Sequence, residues 1–314
     1  MRSLKDTKLK VMKARLIRVS VGAIFSLSSL GLFAQQDPMF THYMFNMSTV
    51  NPGSVGHTDY SSVMNVNRYQ WVGFDGAPRT HTLNADIPIQ KIHCGAGFTY
   101  VMDKVGPEKT NNFYIDYAYH LKVADNLKLG LGLKAGFRVF SSSLTNLTNE
   151  ADPEFASNIN GKITPNFGVG AFLYNDKFYV GLSSPKILNH RYVNSVNGGE
   201  KRHYFLVSGY VLPIKTDLIF KPSVYIKYIE GAPVSFDITA NFLLKNTVWF
   251  GVMYRRGDAI GFLTQLELND RFRFGYTYDL TLSKIRTVSK GTHEIMLAYQ
   301  FGFDEKKSRS HWLF

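Results

Sequence analysis

From Asn126 to Phe140 the chain alternates without a break. Leu127, Leu129, Leu131, Leu133, Ala135, Phe137 and Val139 fall on one side, and Lys128, Gly130, Gly132, Lys134, Gly136 and Arg138 on the other. A period of two sustained this long specifies an extended strand with one apolar face and one small or cationic face. The rhythm recurs in Phe236 to Leu244, in Phe272 to Leu282 and in Ile295 to Phe303, each time with polar or small residues between the apolar ones. Soluble sheets alternate too, but seldom over such lengths. A lipid-facing strand of a barrel must.

Reading the whole chain in this way places strands near 60–74, 79–89, 94–103, 110–123, 126–140, 164–175 and 177–186. The second half adds 201–213, 218–230, 233–245, 247–256, 259–269, 271–284 and 291–303. The expected fold is all-β, a transmembrane antiparallel β-barrel of about fourteen strands, each near the roughly 10 residues that a tilted spanning strand needs. Alternation is blurred in 94–103 and 201–213. Connections provide an independent test, because outer-membrane barrels join their strands by short periplasmic turns and longer external loops in strict alternation. Every second connection is short: Gln90 to His93, Ala124-Asp125, Asn175-Asp176, Ile214 to Asp217, Lys245-Asn246 and Asn269-Asp270. The long ones, Asp103 to Lys109, Ser141 to Ile163, Pro185 to Glu200 and Lys284 to Lys290, all fall on the other side. This parity puts both chain ends in the periplasm.

Composition agrees. Aromatics make up 14% of the chain beside 26 glycines, a mixture suited to strands, tight turns and aromatic girdles. A mean hydropathy of -0.13 excludes a bundle of membrane-spanning helices. Lys8, Lys10, Lys13, Arg15 and Arg18, then the apolar stretch Val19 to Phe33 and Ala34, read as a cleaved export signal covering residues 1–34. Its removal lowers the formal charge from +12 to about +6 and takes away the main support for a nucleic-acid partner. Cys94 is the only cysteine, which precludes an internal disulfide and a lipoprotein anchor at the new N-terminus. The expected organisation is residues 1–34 as signal peptide, 35–59 as a periplasmic N-terminal segment, 60–303 as the barrel and 304–314 as a periplasmic tail.

Few residues suggest chemistry. Gly130-Leu131-Gly132 lies within an alternating strand with no helix to receive a phosphate, so its glycines are read as relieving crowding and accommodating curvature. The nine histidines lack metal-site spacing, and serines such as Ser141 to Ser143 and Ser183-Ser184 are not coupled by sequence to a base. Arg256-Gly257-Asp258 reads as turn chemistry. No cofactor or metal is expected, and no catalytic residue. Lys128, Lys134, Arg138, Asp237, Glu267, Arg271 and Arg273 are placed facing the lumen, where they either line a channel or pair and close it.

Gln36-Asp37-Pro38-Met39-Phe40-Thr41-His42-Tyr43-Met44-Phe45-Asn46, then Asn51-Pro52-Gly53, resembles the start of the mature PorP/SprF family of Bacteroidetes outer-membrane proteins. Members begin with a QDPxFTQYMFN-like string and an NPAYAG-like turn; here His42 replaces Gln, and Gly53 to Gly56 replace the Ala-Tyr-Ala-Gly element. Tyr69 to Phe74 followed by Gly76-Ala77-Pro78 is similar to the family's first hairpin. The resemblance implies a non-enzymatic subunit of the type IX secretion system. It implies support for export of cargo with C-terminal secretion domains, gliding adhesins in relatives, and periplasmic partners including a ring lipoprotein and its companion. Outer-membrane lipid surrounds such a protein, and secreted cargo is a further partner. Asp37, Pro38, Phe40, Tyr43, Phe45, Asn46, Asn51 and Pro52, with Lys306, Lys307, Arg309 and Trp312 in the tail, are the expected partner contacts. A second placement stays open for the first segment, folded into the lumen as a plug. A general porin and an outer-membrane hydrolase are the alternative functions.

Overall fold

In the computed structural model the described residues are 40–143, 158–191 and 199–302. They form a closed antiparallel barrel of fourteen strands. The first seven are β1 (Ser61–Tyr69), β2 (Arg79–Ile89), β3 (Cys94–Val105), β4 (Glu108–Ala124), β5 (Leu127–Ser142), β6 (Ile159–Tyr174) and β7 (Phe178–Ser184). Next comes β8 (His203–Tyr210), which continues beyond Val211 as Leu212–Lys215. The last six are β9 (Leu218–Ile229), β10 (Ser235–Leu244), β11 (Val248–Arg255), β12 (Ala259–Glu267), β13 (Phe272–Thr281) and β14 (Thr292–Phe301). Each strand pairs with its sequence neighbours, and β1 pairs with β14 from Ser61↔Phe301 to Tyr69↔His293, which closes the sheet. A two-residue ladder, His190–Arg191 with Gly199–Glu200, stands outside it. Among the described residues no helix is long and apolar enough to cross a membrane.

The alternation read from the sequence sorts side chains between two solvents. Ile115, Leu133, Phe137, Leu182, Phe250, Phe262 and Leu297 point outward and are exposed to where lipid would lie, whereas Thr82, Asn84, Asp116, Lys134, Asp237, Gln265 and Thr277 point inward and are buried. Each strand of the closed sheet is paired with a strand on both sides, the condition for an extended chain to survive in hydrocarbon.

The connection parity holds, with two local changes. β1 stops at Tyr69 rather than near 74, because Trp71, Gly73 and Gly76 take positive φ (46°, 96° and 74°) and turn the chain. The connection expected from Asp103 to Lys109 is a tight Gly106-Pro107 turn between longer strands, with Gly106 at φ 55°. The long connections still share one end of the barrel. β8 is interrupted at Val211, which keeps the inward parity of His203, Phe205, Val207 and Gly209; its amide donates to the Lys177 carbonyl at 2.6 Å, and a register shift follows at Pro213. Arg256-Gly257-Asp258 is the β11–β12 turn, with Gly257 at φ 69°.

The N-terminal segment does not hang from the barrel. Residues 40–60 run inside it as three short 3-10 turns, Tyr43–Phe45, Met47–Thr49 and Pro52–Ser54, and reach β1 at the short-turn end. Their seat is the glycine-lined inner face of β3, β5 and β6. A Cβ on Gly132 would collide with the Pro52-Gly53 peptide, one on Gly130 with the Gly53 carbonyl, one on Gly170 with the Asn51 side chain, and one on Gly95 with Val55. The glycines of Gly130-Leu131-Gly132 therefore let backbone meet backbone.

Gly132→Val should displace the segment at a cost in the overpacking range, about 1–3 kcal/mol. We expect a lower temperature for loss of the compact, heat-modifiable gel band, with the band of the lipid-facing control Leu131→Ile unchanged.

Candidate functional site

The most elaborate chemistry of the molecule lies where the inserted segment meets the wall. Near the long-loop end, the Thr41 and His42 amides donate to the two oxygens of Glu294 on β14 (3.0 and 2.8 Å), and the His42 Nδ1 lies 2.6 Å from the same carboxylate. The Thr41 hydroxyl donates to Asp279 of β13 at 2.9 Å. Arg68 of β1 bridges both acids, Nη1 to Glu294 at 2.9 Å and Nη2 to Asp279 at 2.8 Å, and its Nη1 also donates to the Thr41 hydroxyl. Three adjacent strands and the first turn of the segment thus share one buried charge cluster, in which each carboxylate is met by a cation and by hydrogen-bond donors.

Other lumen charges close in the same way. Asp237 and Arg255 stand directly opposite on β10 and β11 and form a two-pronged pair, Nε to Oδ1 at 3.1 Å and Nη2 to Oδ2 at 2.8 Å. Asp116 and Lys134 stand opposite on β4 and β5, 2.9 Å apart. Arg273 lies 4.0 Å from Glu267. Of the residues expected in the lumen, Lys134, Asp237, Glu267 and Arg273 face it as paired groups. Arg138 lines the cavity at the long-loop end and stacks on Phe140, and Lys128 lines the cavity at the short-turn end. Arg271 is the exception: β13 begins one residue later, and Arg271 belongs to an exposed turn capped by Asn269.

Between the charges the segment supplies an apolar core that the wall lacks alone. Tyr43, Met44 and Met47 pack with Phe172, Tyr179, Phe205, Tyr225, Leu243, Trp249 and Leu263. Phe45 meets Trp249 edge-on at 5.5 Å, and the Lys221 ammonium lies 5.4 to 5.8 Å from the rings of Phe45, Tyr179 and Trp249. Lower down, Ser183 donates to the Val50 carbonyl at 2.8 Å and Asn51 to the Ala171 carbonyl at 3.0 Å. The Gly56 amide donates to Asp86 at 2.7 Å, and His120 Nε2 lies 2.8 Å from the Val55 carbonyl. Asn51 also caps its own turn by accepting from the Gly53 amide at 2.9 Å.

This geometry corrects the surface role expected of Phe40, Tyr43, Phe45, Asn46, Asn51 and Pro52. Tyr43, Asn46, Asn51 and Pro52 are buried, and the half-buried Phe40 and Phe45 pack on Met64, Val66, Met296 and Ala298 of the inner wall. The physical reason is that a polar segment carrying large apolar side chains finds more complementary surface inside a wide barrel than in water. Asp37, Pro38, Lys306, Lys307, Arg309 and Trp312 lie outside the described residues, as does the expected signal peptide. The sequence reading missed Arg68, Asp279, Glu294, Lys221 and the glycine seat; polar inward positions on strands gave the signal, but only the register shows which of them meet.

Catalytic arrangements gain no support. The Ser183 and Ser184 hydroxyls donate to backbone carbonyls. Among the described residues no group of three or more His, Cys, Asp or Glu is placed to hold a metal ion.

A family model for the type IX secretion system membrane protein PorP/SprF matches residues 32–299. The chain belongs to the PorP/SprF family. No curated protein matches it. Among solved structures it is similar to the CymD monoaromatic hydrocarbon channel, with 12% identity, a TM-score of 0.50, and 86% of this chain and 94% of that one covered. The Acinetobacter baumannii outer membrane protein Omp33 is 11% identical, with a TM-score of 0.46, over 79% of this chain and 100% of its own. At these identities the likeness is one of fold. This PorP/SprF protein is a closed fourteen-stranded barrel of the outer-membrane kind.

Glu294→Ala removes the acceptor shared by Arg68 and the two segment amides and should cost about 3–5 kcal/mol, the range for breaking one side of a buried pair. Urea unfolding in detergent should show the lowered midpoint. Limited proteolysis of the folded variant should then cut within residues 40–57, where the unsubstituted protein resists.

Proposed function

We propose that this protein is a non-enzymatic outer-membrane subunit of the type IX secretion machine. It anchors or couples periplasmic components, the ring lipoprotein and its companion, and so supports export of cargo with C-terminal secretion domains. Family membership supports the system, and the filled lumen supports the role. Burial of Tyr43, Met44 and Met47, worth about 1.5–3 kcal/mol for each such side chain, together with the Glu294 cluster, holds the segment as part of the fold. A barrel so filled is an anchor, with its working surface at its rims.

In this reading the short-turn end faces the periplasm and the long connections face outward. The rim offers exposed Lys91, Asp125, Asp176, Asp217, Lys245 and Asp270 on tight turns, and β14 ends on the same side, with the expected contacts Lys306, Lys307, Arg309 and Trp312 following it in the sequence. With the N-terminal segment withdrawn, these groups take over the contact with periplasmic partners. Crosslinking in cells followed by gentle detergent extraction and mass spectrometry should recover periplasmic secretion proteins linked to the rim lysines and the tail. Recovery of lipid and lipopolysaccharide alone would count against the subunit role.

The barrel's similarity to a channel protein keeps the porin reading in play, and conductance separates the two. The unsubstituted protein in planar bilayers should give no stable conductance, whereas Gly132→Val combined with Glu294→Gln should give opening steps. Steady conductance by the unsubstituted protein would favour the channel.

A further inference from the structure

Most outward positions of the wall are apolar, as at Ile238, Phe250, Val252, Phe262 and Leu280. β1 and β2 depart from this. Asn65 and Asn67 share the outward parity of exposed Val63 on β1, and His81 stands opposite Asn67 on β2 with the outward parity of exposed Leu83. The inward positions between them are Met64, Val66 and Arg68, all buried. Depth gives these polar groups their meaning. Aromatic and polar groups near strand ends sit at headgroup level, and His293, the second residue of β14, is of that kind, with its Nδ1 2.7 Å from the Tyr276 hydroxyl. Asn65 is different, because it lies four residues from either end of β1 and stands between Leu297 of β14 and Leu83 of β2. A carboxamide at that level faces hydrocarbon, where a donor without an acceptor is strongly unfavourable.

The three side chains form a hydrogen-bonded string that is incomplete. Asn65 Nδ2 donates to the Thr82 carbonyl at 3.2 Å, Asn67 Nδ2 donates to Asn65 Oδ1, and His81 Nδ1 donates to Asn67 Oδ1, an oxygen that can only accept. Each carboxamide therefore uses one of its two N–H groups, and His81 Nε2 keeps its lone pair. Among the described residues nothing meets these remaining groups. Spare donors and a spare acceptor thus share one outward patch, bordered by the exposed apolar side chains of Val63, Leu83 and Leu297.

We propose that this patch is the contact with a second copy of the chain, related to the first by a two-fold axis along the membrane normal. Acyl chains offer no hydrogen bond, so lipid alone would leave the spare groups unmet. A second copy inserts in the same direction and carries the same groups at the same depth. A two-fold axis then presents the donors of each patch to the acceptor of the other, the self-complementarity that an isologous contact requires. Val63, Leu83 and Leu297 of both copies surround the polar centre and keep it dry.

Photocrosslinking of the full chain in outer membranes tests this. With p-benzoylphenylalanine in place of Leu83, a band of twice the chain mass should form, and mass spectrometry should find β1, β2 or β14 peptides of a second copy in it. The same group in place of Leu206, exposed on β8 across the barrel, should give no such band. A single-chain band alone from position 83, or linkage there only to lipid or to a different protein, overturns the proposal. Asn65→Leu combined with Asn67→Leu keeps an apolar wall, so the heat-modifiable band should persist. Sedimentation in detergent should then show the dimer dissociation constant raised about tenfold or more, as loss of two or more hydrogen bonds within a membrane gives. An unsubstituted protein that sediments as a monomer, or a dimer left unchanged by the double substitution, refutes the contact. Should the double variant fail to assemble, the crosslink decides alone. Both readouts concern this chain only and stand whether or not the secretion role does.

Discussion

A fourteen-stranded barrel is wider than its own side chains can fill, and this constraint governs the rest of the molecule. Small barrels close their interiors by packing residues from opposite walls, and large ones leave water in the gap. This chain takes a third course, in which residues 40–60 serve as a core passed through the lumen. The two halves of the wall receive it differently. β3, β5 and β6 shed their side chains, so that Gly95, Gly130, Gly132 and Gly170 admit the backbone of 51–56 at close range. β9 to β14 and β1 extend long polar and aromatic side chains toward 41–48. One half gives way in shape and the other reaches out in chemistry, and between them the interior is filled.

The sequence carried the wall plainly and the filling hardly at all. Strands are legible because lipid outside and polar groups inside impose a period of two, and the short turns at Asn175-Asp176 and Lys245-Asn246 mark one rim. Residues 40–60 have no period, since each side chain answers to a different part of a curved wall. Their burial is visible only once the wall is built. Gly130 and Gly132 show the limit most clearly: a glycine pair in a strand signals that something comes close, and the sequence does not say that the visitor is Pro52-Gly53 from far along the chain. β8 shows a different limit. Its alternation blurs because the inward side chains Phe205, Val207 and Val211 are themselves apolar and pack with Tyr43, Met44 and Met47, a pattern that reads equally well as a weak strand.

Charges were legible as a set and illegible as pairs. Lys134, Asp237 and Arg273 could be assigned to the lumen by parity, but whether they lined a channel or neutralised one another depended on register. Register decides it: Asp237 faces Arg255 and Asp116 faces Lys134 across single ladder steps. These pairs join wall to wall without the inserted segment, so the barrel does not depend on the segment for its charge balance. Asp279 also takes the Thr41 hydroxyl, and Glu294 is shared most, since it accepts from Arg68 and from the Thr41 and His42 amides together. That carboxylate is where sheet closure and plug seating become one event, because β14 must lie beside β1 to bring Arg68 and Glu294 together, and the segment must already be inside to use the remaining lone pairs.

Threading also constrains assembly. A segment that enters the lumen at the short-turn end and ends near the opposite rim cannot be inserted easily after the sheet has closed, because its apolar turns would have to slide past the paired charges of the wall. Closing the sheet last, at β1 with β14, lets the segment be laid against the open glycine face of β3, β5 and β6 first, where its contacts are local to the N-terminal half. The cluster at Arg68, Asp279 and Glu294 then forms as the final strands arrive. This order places the slow, non-local pairing at the end, as loop-closure entropy favours. It also leaves a finished barrel whose interior is occupied by its own chain.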